Sequence, residues 1–397
     1  MGEAGAGRKI SSTPYLYLDT SGIYSSDFNA AVVQIVMKAG VVIRVALLAL
    51  VVAVGSPARA TEEFDVLTQP AVPSARATHS LIYALRKFGD RYFATGIQGH
   101  ILYSDDGGET WNQAQVPVRS GILSIDFPTA EQGWAVGHEG VILHSSDGGK
   151  TWVKQYDGIQ YAREGLAYYQ ELAAQEPDNE LYPVLVEELR LANEQGADKP
   201  FFKVKCQNDQ RCNAVGAYGI SVVTFDGGQS WEHSMHRYEN DNFNHMFDYA
   251  PLPTPGRYFI AGEAGLFLIA DINQRKAHRT YSVPWEGSFF ASAATGDGAI
   301  VMGGLRGRMF RSADEGATWT VVDKPVTSSI VAAIRLSDGR LVAVSAAGEV
   351  LVSSDKGYTF APVPIEYVGP LSSVAEGPAG TLLLGGLKGI HKVALPR

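Results

Sequence analysis

The chain has little cysteine, no basic run and no long uninterrupted apolar segment. Only Cys206 and Cys212 occur in 397 residues, and no cysteine follows the apolar stretch near the N-terminus, which excludes a lipoprotein attachment site there. Lys and Arg total 33 against 42 Asp and Glu, a formal charge of −9, and they never cluster. Such a surface is a poor match to phosphate, so nucleic acid is excluded as the expected partner. Also missing are a Ser nucleophile elbow, a phosphate-binding glycine loop and a His-Glu-x-x-His pair. The longest apolar stretch, Val41–Gly55, is interrupted by Arg44 and leaves Val45–Gly55, well short of the ~20 residues that span a bilayer. Disorder is excluded by a hydrophobic content of 45%, while 43 glycines point to many turns and short strands.

That short apolar run suits the core of a secretory signal. Lys38 and Arg44 supply the preceding positive charge, and Ala58-Arg59-Ala60 gives a small-x-small cleavage pattern. Met37 opens this signal, so residues 1–36 read as an upstream misread start, 37–60 as the signal and 61–397 as the exported chain. An uncleaved anchor is the competing reading. Export predicts a periplasmic location, or the thylakoid lumen in a photosynthetic host. It also favours a Cys206–Cys212 disulfide over two buried thiols, though closing so short a loop adds only about 2 kcal/mol.

What the chain has in abundance is repetition. An eight-residue pattern, Ser/Thr-x-Asp-x-Gly-x-Thr/Ser-aromatic, occurs five times. Its Asp and aromatic positions are Asp106 and Trp111, Asp147 and Trp152, Asp226 and Trp231, Asp314 and Trp319, and Asp355 and Phe360. Twelve residues ahead of each aromatic, two glycines stand three apart after a β-type run. The pairs open at Gly96, Gly137, Gly216, Gly262, Gly304 and Gly386, with Ser345/Gly348 as a variant. Seven units of about 40 residues, each dividing into four short strands, predict an all-β fold: a seven-bladed β-propeller. The last unit lacks a good fourth strand, and Glu62–Val72 is expected to supply it. The Asp motif has a structural rationale. Asp accepts backbone N–H groups in a tight turn, Gly takes the positive-φ position, and the aromatic packs between blades.

Asp boxes of this kind (bacterial neuraminidase repeats), preceded by Val-Gly-x-x-Gly as in Trp134-Ala135-Val136-Gly137-His138-Glu139-Gly140, resemble the photosystem II stability/assembly-factor family. The resemblance covers roughly Leu81–Val393. It implies an exported, non-enzymatic, seven-bladed propeller without a cofactor. In a photosynthetic host it implies binding to an early photosystem II intermediate. Similar proteins elsewhere are linked to resistance-nodulation-division (RND) exporters. The expected function is therefore a scaffold or assembly factor that binds a membrane protein complex, with no small-molecule substrate.

Three features depart from a plain propeller. One interval between glycine pairs is 79 residues instead of 41, and the excess falls between Trp152 and Cys206. Gln160–Gln175 and Leu181–Gln195 have helical periodicity, which makes 157–199 an αα-hairpin inserted between blades two and three. It carries ten acidic and three basic residues, and both a solvated face and a docking arm fit that charge. Propeller topology puts the hairpin and the Gly-x-x-Gly turns on one face, together with His100, His138, Glu139, Tyr218, Glu263, Arg306, Arg308 and Lys388. Of these, Arg306, Arg308, His138, Glu139 and Lys388 are the candidate partner-binding residues, ordinary surface charge being the alternative for the arginines. Lastly, His233, Met235, His236, His245 and Met246 crowd together, but their spacing fits no metal-ligand pattern.

The rival class is an Asp-box glycoside hydrolase or carbohydrate-binding propeller. Hydrolysis requires paired carboxylates at a sugar subsite. Asp126 and Asp248 are the best-placed acids on expected inner strands, neither has an evident partner, and no Arg-Ile-Pro motif occurs. No catalytic residue is assigned.

Overall fold

The computed structural model describes residues 65–271, 279–323 and 326–396. The signal at 37–60, the cleavage site after Ala60 and the 1–36 segment lie outside the described residues.

Nearly all the described chain is built from short antiparallel strands, arranged as seven sheets in which sequence neighbours pair. Six sheets have four strands and the last, Leu371–Glu376, Thr381–Gly386 and Gly389–Ala394, has three among the described residues. The first strands are Ile82–Phe88, Ile122–Asp126, Phe201–Cys206, Met246–Pro251, Phe289–Ala294, Ile330–Arg335 and Leu371–Glu376. Each lies against the first strand of the next sheet, and the seventh lies against the first. Ring closure includes a 2.8 Å hydrogen bond from the Leu85 amide to Ser373 Oγ.

The second strands explain the cohesion. Gly133–Gly137, Cys212–Gly216, Ile300–Gly304 and Leu341–Ser345 are buried along their whole length, as the middle layer of a stacked ring requires. The five Asp boxes lock the sheets that carry them to the sheet before. In the second box Asp147 accepts from the Ser145 hydroxyl (2.9 Å), the Lys150 and Thr151 amides (both 3.0 Å) and the Thr151 hydroxyl (2.7 Å). The box glycine touches the preceding sheet: a methyl group on Gly149 would stand 2.4 Å from the Phe93 ring. Gly108 meets Leu383 of the last sheet in the same way, so the first box also closes the ring.

One sequence expectation is corrected. Among the described residues, the segment 65–72 does not pair with the last sheet. Val66 O accepts from the Arg119 amide (2.7 Å) and the Ala71 amide donates to Val116 O (2.9 Å), so it runs along the link between sheets one and two. Its apolar Leu67 is buried in the core shared by those two sheets, which outweighs pairing at a distant edge.

Two helices, α1 (Gly158–Gln175) and α2 (Leu181–Gln195), stand between the second and third sheets in the chain. α1 begins two residues earlier than its apolar pattern suggests, because Asp157 caps it, accepting from the Ile159 and Gln160 amides. Ahead of α2 the Asn179 side chain accepts from the Leu181 amide (3.1 Å). Cys206 and Cys212 lie opposite one another on adjacent strands of the third sheet and are disulfide-bonded.

Candidate partner-binding face

The link between second and third strands is a single 3-10 turn whose middle residue is left-handed in five sheets: Gln98, Glu139, Tyr218, Ala264 and Arg306, at φ between 52° and 57°. Four of these positions are exposed and Glu139 is half-buried. The glycine that follows has no room for a side chain; a methyl on Gly307 would meet Val326 O at 2.3 Å.

The candidate residues occupy this turn side but sit in different clefts. His138 packs against Tyr83 of the first sheet (6.0 Å between rings), and the Glu139 carboxyl keeps one buried oxygen without a hydrogen bond. The Arg308 guanidinium lies over Trp285 (5.4 Å), beside a cleft of about 590 Å³ lined by Val283, Trp285, Leu305 and Arg306. Lys388 lies over the exposed Tyr367 (5.6 Å). Arg306 and Arg308 thus flank an apolar cleft. His100 is buried, its Nε2 3.3 Å from Val72 O, and does not belong to the face.

A feature that sequence reasoning missed lies at the centre of that side. In all seven first strands the pairing skips one residue near the start: Tyr83, Leu123, Phe202, Phe247, Phe290, Val331 and Ser372. A bulge re-aims the skipped side chain. All seven are half-buried and line one axial cavity of about 140 Å³. Phe202, Phe247 and Phe290 form a continuous arc, with rings 5.2 and 5.1 Å apart. His245 joins it (5.8 Å from Phe247) and carries it outward to the exposed Tyr218 (4.7 Å), over which Lys199 sits. The sequence signal is an aromatic at a near-constant offset before three successive glycine pairs. It is hidden because a bulge breaks the period-2 alternation that marks strand faces.

Below the arc the lining carries Arg86, Lys203 and Asp248, and a second charged pair braces the strands nearby. Lys203 pairs with Asp248 (2.7 Å) and Lys205 with Asp126 (2.8 Å). Asp126 also accepts from the Cys206 amide (2.8 Å), and Asp248 accepts from the Ser292 hydroxyl. Burial pushes the Asp248 carboxyl up, but Lys203 and Ser292 more than offset it and hold the group below its ordinary value. Both acids weighed for sugar hydrolysis are thus occupied in bracing neighbouring first strands.

Of the crowded His and Met residues, His233, Met235 and His236 are the seat of the helical hairpin, while His245 joins the arc and Met246 is buried in the core. Tyr156 Oη lies 3.3 Å from His233 Nε2, the Tyr161 hydroxyl donates to Met235 Sδ (3.0 Å), and Tyr169 Oη lies 3.3 Å from His236 Nδ1. Gly165 lets α1 settle on His233, where a methyl group would be 2.5 Å from the ring. Burial holds both imidazoles down, to about 4, and so neutral. The hairpin's root reaches the turn side, since Gly140 is packed against Gly158.

Comparison with known families now decides the relationship. The profile described as "Photosynthesis system II assembly factor YCF48" matches residues 62–167 and 191–362. The chain belongs to this family. The unmatched residues, 168–190, cover the second half of α1, the turn and most of α2, so this outer part of the hairpin departs from the family pattern. Among solved structures, "YCF48 bound to D1 peptide" is similar with a TM-score of 0.59 and 17% identity, over 81% of this chain and 95% of that one. "YCF48 from Cyanidioschyzon merolae" gives 0.57 and 16%, over 82% and 98%. A streptogramin B lyase gives 0.56 and 11%, over 84% and 100%, a likeness of fold alone. No curated protein matches.

Proposed function

We propose that the chain is a seven-bladed, exported, non-enzymatic scaffold that binds a membrane protein complex through its turn side and helps that complex assemble. The observation that carries this reading is the aromatic arc Tyr218–His245–Phe202–Phe247–Phe290, at the mouth of the axial cavity, with Lys199 over its outer end. Aromatic anchors within a polar and cationic rim are the composition of a protein-binding hot spot. A related YCF48 structure is described as bound to a D1 peptide, which supports the same kind of partner here. In a photosynthetic host that partner is a photosystem II subunit. In another host it is an envelope complex such as an RND exporter.

Export rests on the 37–60 signal and on the disulfide. Docking extends from the arc to His138, Glu139, Arg306, Arg308 and Lys388. The test is a tagged pull-down from solubilised membranes with four forms: native, Phe202→Ala/Phe247→Ala, Arg306→Glu/Arg308→Glu, and a form lacking 160–196. Loss of a membrane complex with the first double variant, while its melting temperature stays near native, supports the reading. Full recovery by all altered forms contradicts it.

A further inference from the structure

A second cavity of about 400 Å³ meets the axial cavity end to end. Arg86, Lys203, Asp248, Ser292 and Ala333 line both and so form the constriction between them. Lys203 is matched there by Asp248, whereas the Arg86 guanidinium bonds only the neighbouring Leu85 carbonyl (Nη1 to O, 2.9 Å) among the described residues. The second cavity adds Lys87, Arg335 and Glu376, bringing its lining to four cations against two carboxylates. That surplus stands out in a chain whose net charge is −9. Burial disfavours the Arg86 cation and the nearby Asp248 and Asp126 carboxylates offset only part of that, so an anion in the constriction would offset more of a cost the fold already carries.

We propose that the axial channel is a binding site for a carboxylate bearing a short apolar body. The carboxylate oxygens meet the Arg86 fork, a geometry guanidinium favours for two-oxygen anions. The apolar body lies against Phe202, Phe247 and Phe290 at the mouth. This site does not rest on the docking reading, and a scaffold that binds no membrane complex would still have it.

Calorimetry on the intact exported chain tests the site with phenylacetate, its neutral analogue phenylacetamide, and inorganic phosphate. The expected result is saturable binding of phenylacetate, at least tenfold weaker binding of phenylacetamide and phosphate, and a loss of at least tenfold in Arg86→Gln. If Arg86→Gln fails to fold, Phe247→Ala serves instead: it weakens phenylacetate but leaves acetate unchanged. Comparing phenylacetate with Gly-Gly-Phe as free acid and as amide identifies the source. Tighter binding of the tripeptide acid assigns the carboxylate to a chain end, and tighter binding of phenylacetate assigns it to a free small acid. The proposal is overturned if phenylacetate does not bind, binds Arg86→Gln equally, or binds no better than phosphate.

Discussion

At the residue scale, the Asp box works through one carboxylate that satisfies several donors and one glycine that permits contact with the preceding sheet. Replacing Gly149 by Ala sets a methyl against Phe93 and strains a φ of 83°. A loss of about 2 kcal/mol or more is expected in chemical denaturation. The opposite change should help where a box has lost its first glycine. Lys356 is held at φ 59° and its ammonium makes only a loose contact with Asp297 at 3.6 Å. Lys356→Gly should therefore stabilise by about 1 kcal/mol, measured the same way. The carboxylates also set acid stability. Burial raises the Asp147 pKa, but the bonds from Thr151, Ser145 and Lys150 outweigh it and hold the group at about 2. Its folded value lies below the unfolded one, so its stabilisation is full above about pH 4 and is lost as pH falls toward 2. Asp147→Asn should flatten that part of the acid-unfolding curve.

At the scale of elements, the hairpin is held by a neutral aromatic and imidazole cluster. His233 and His236 face Tyr156, Tyr161, Tyr168, Tyr169 and Tyr182, with Glu232 and Arg237 as nearby charges. Both imidazoles have folded values near 4, below the unfolded value of about 6.5. The unfolded or detached state therefore binds protons first. The contact is fully stable above about pH 6.5, weakens as pH falls from there toward 4, and levels off below. Hydrogen-exchange protection factors across residues 158–195, corrected for the intrinsic pH dependence of exchange, should fall as pH drops from 7 to 5 in the native protein, and much less in His236→Phe. Gly165→Val should detach α1 at neutral pH while leaving the sheets protected.

For the whole molecule, the sheet-by-sheet architecture was legible because each unit repeats its chemistry: a glycine pair, an Asp box and an aromatic at fixed spacing. The inserted helices were legible from their apolar period, and even Asp157 as a cap could have been read from its place before Gly158. The route of residues 65–72 was not, since nothing in Glu62–Val72 distinguishes an edge strand from a strap over Val116–Arg119. The axial lining was hidden for a different reason. Bulges shift Phe202, Phe247 and Phe290 out of register, and the channel is assembled from seven separated strands that contribute two or three positions each. Single-motif reading favoured Arg306 and Arg308, which the fold places at an apolar cleft beside Trp285.

The central claim is that the partner docks on the turn side, around the aromatic arc. Site-specific photo-crosslinking in membranes tests it directly, with the reactive residue placed at Tyr218 on that side and at Lys150 on the Asp-box side. The account predicts adducts with a membrane protein from Tyr218 and none from Lys150. Adducts from Lys150 alone would contradict it.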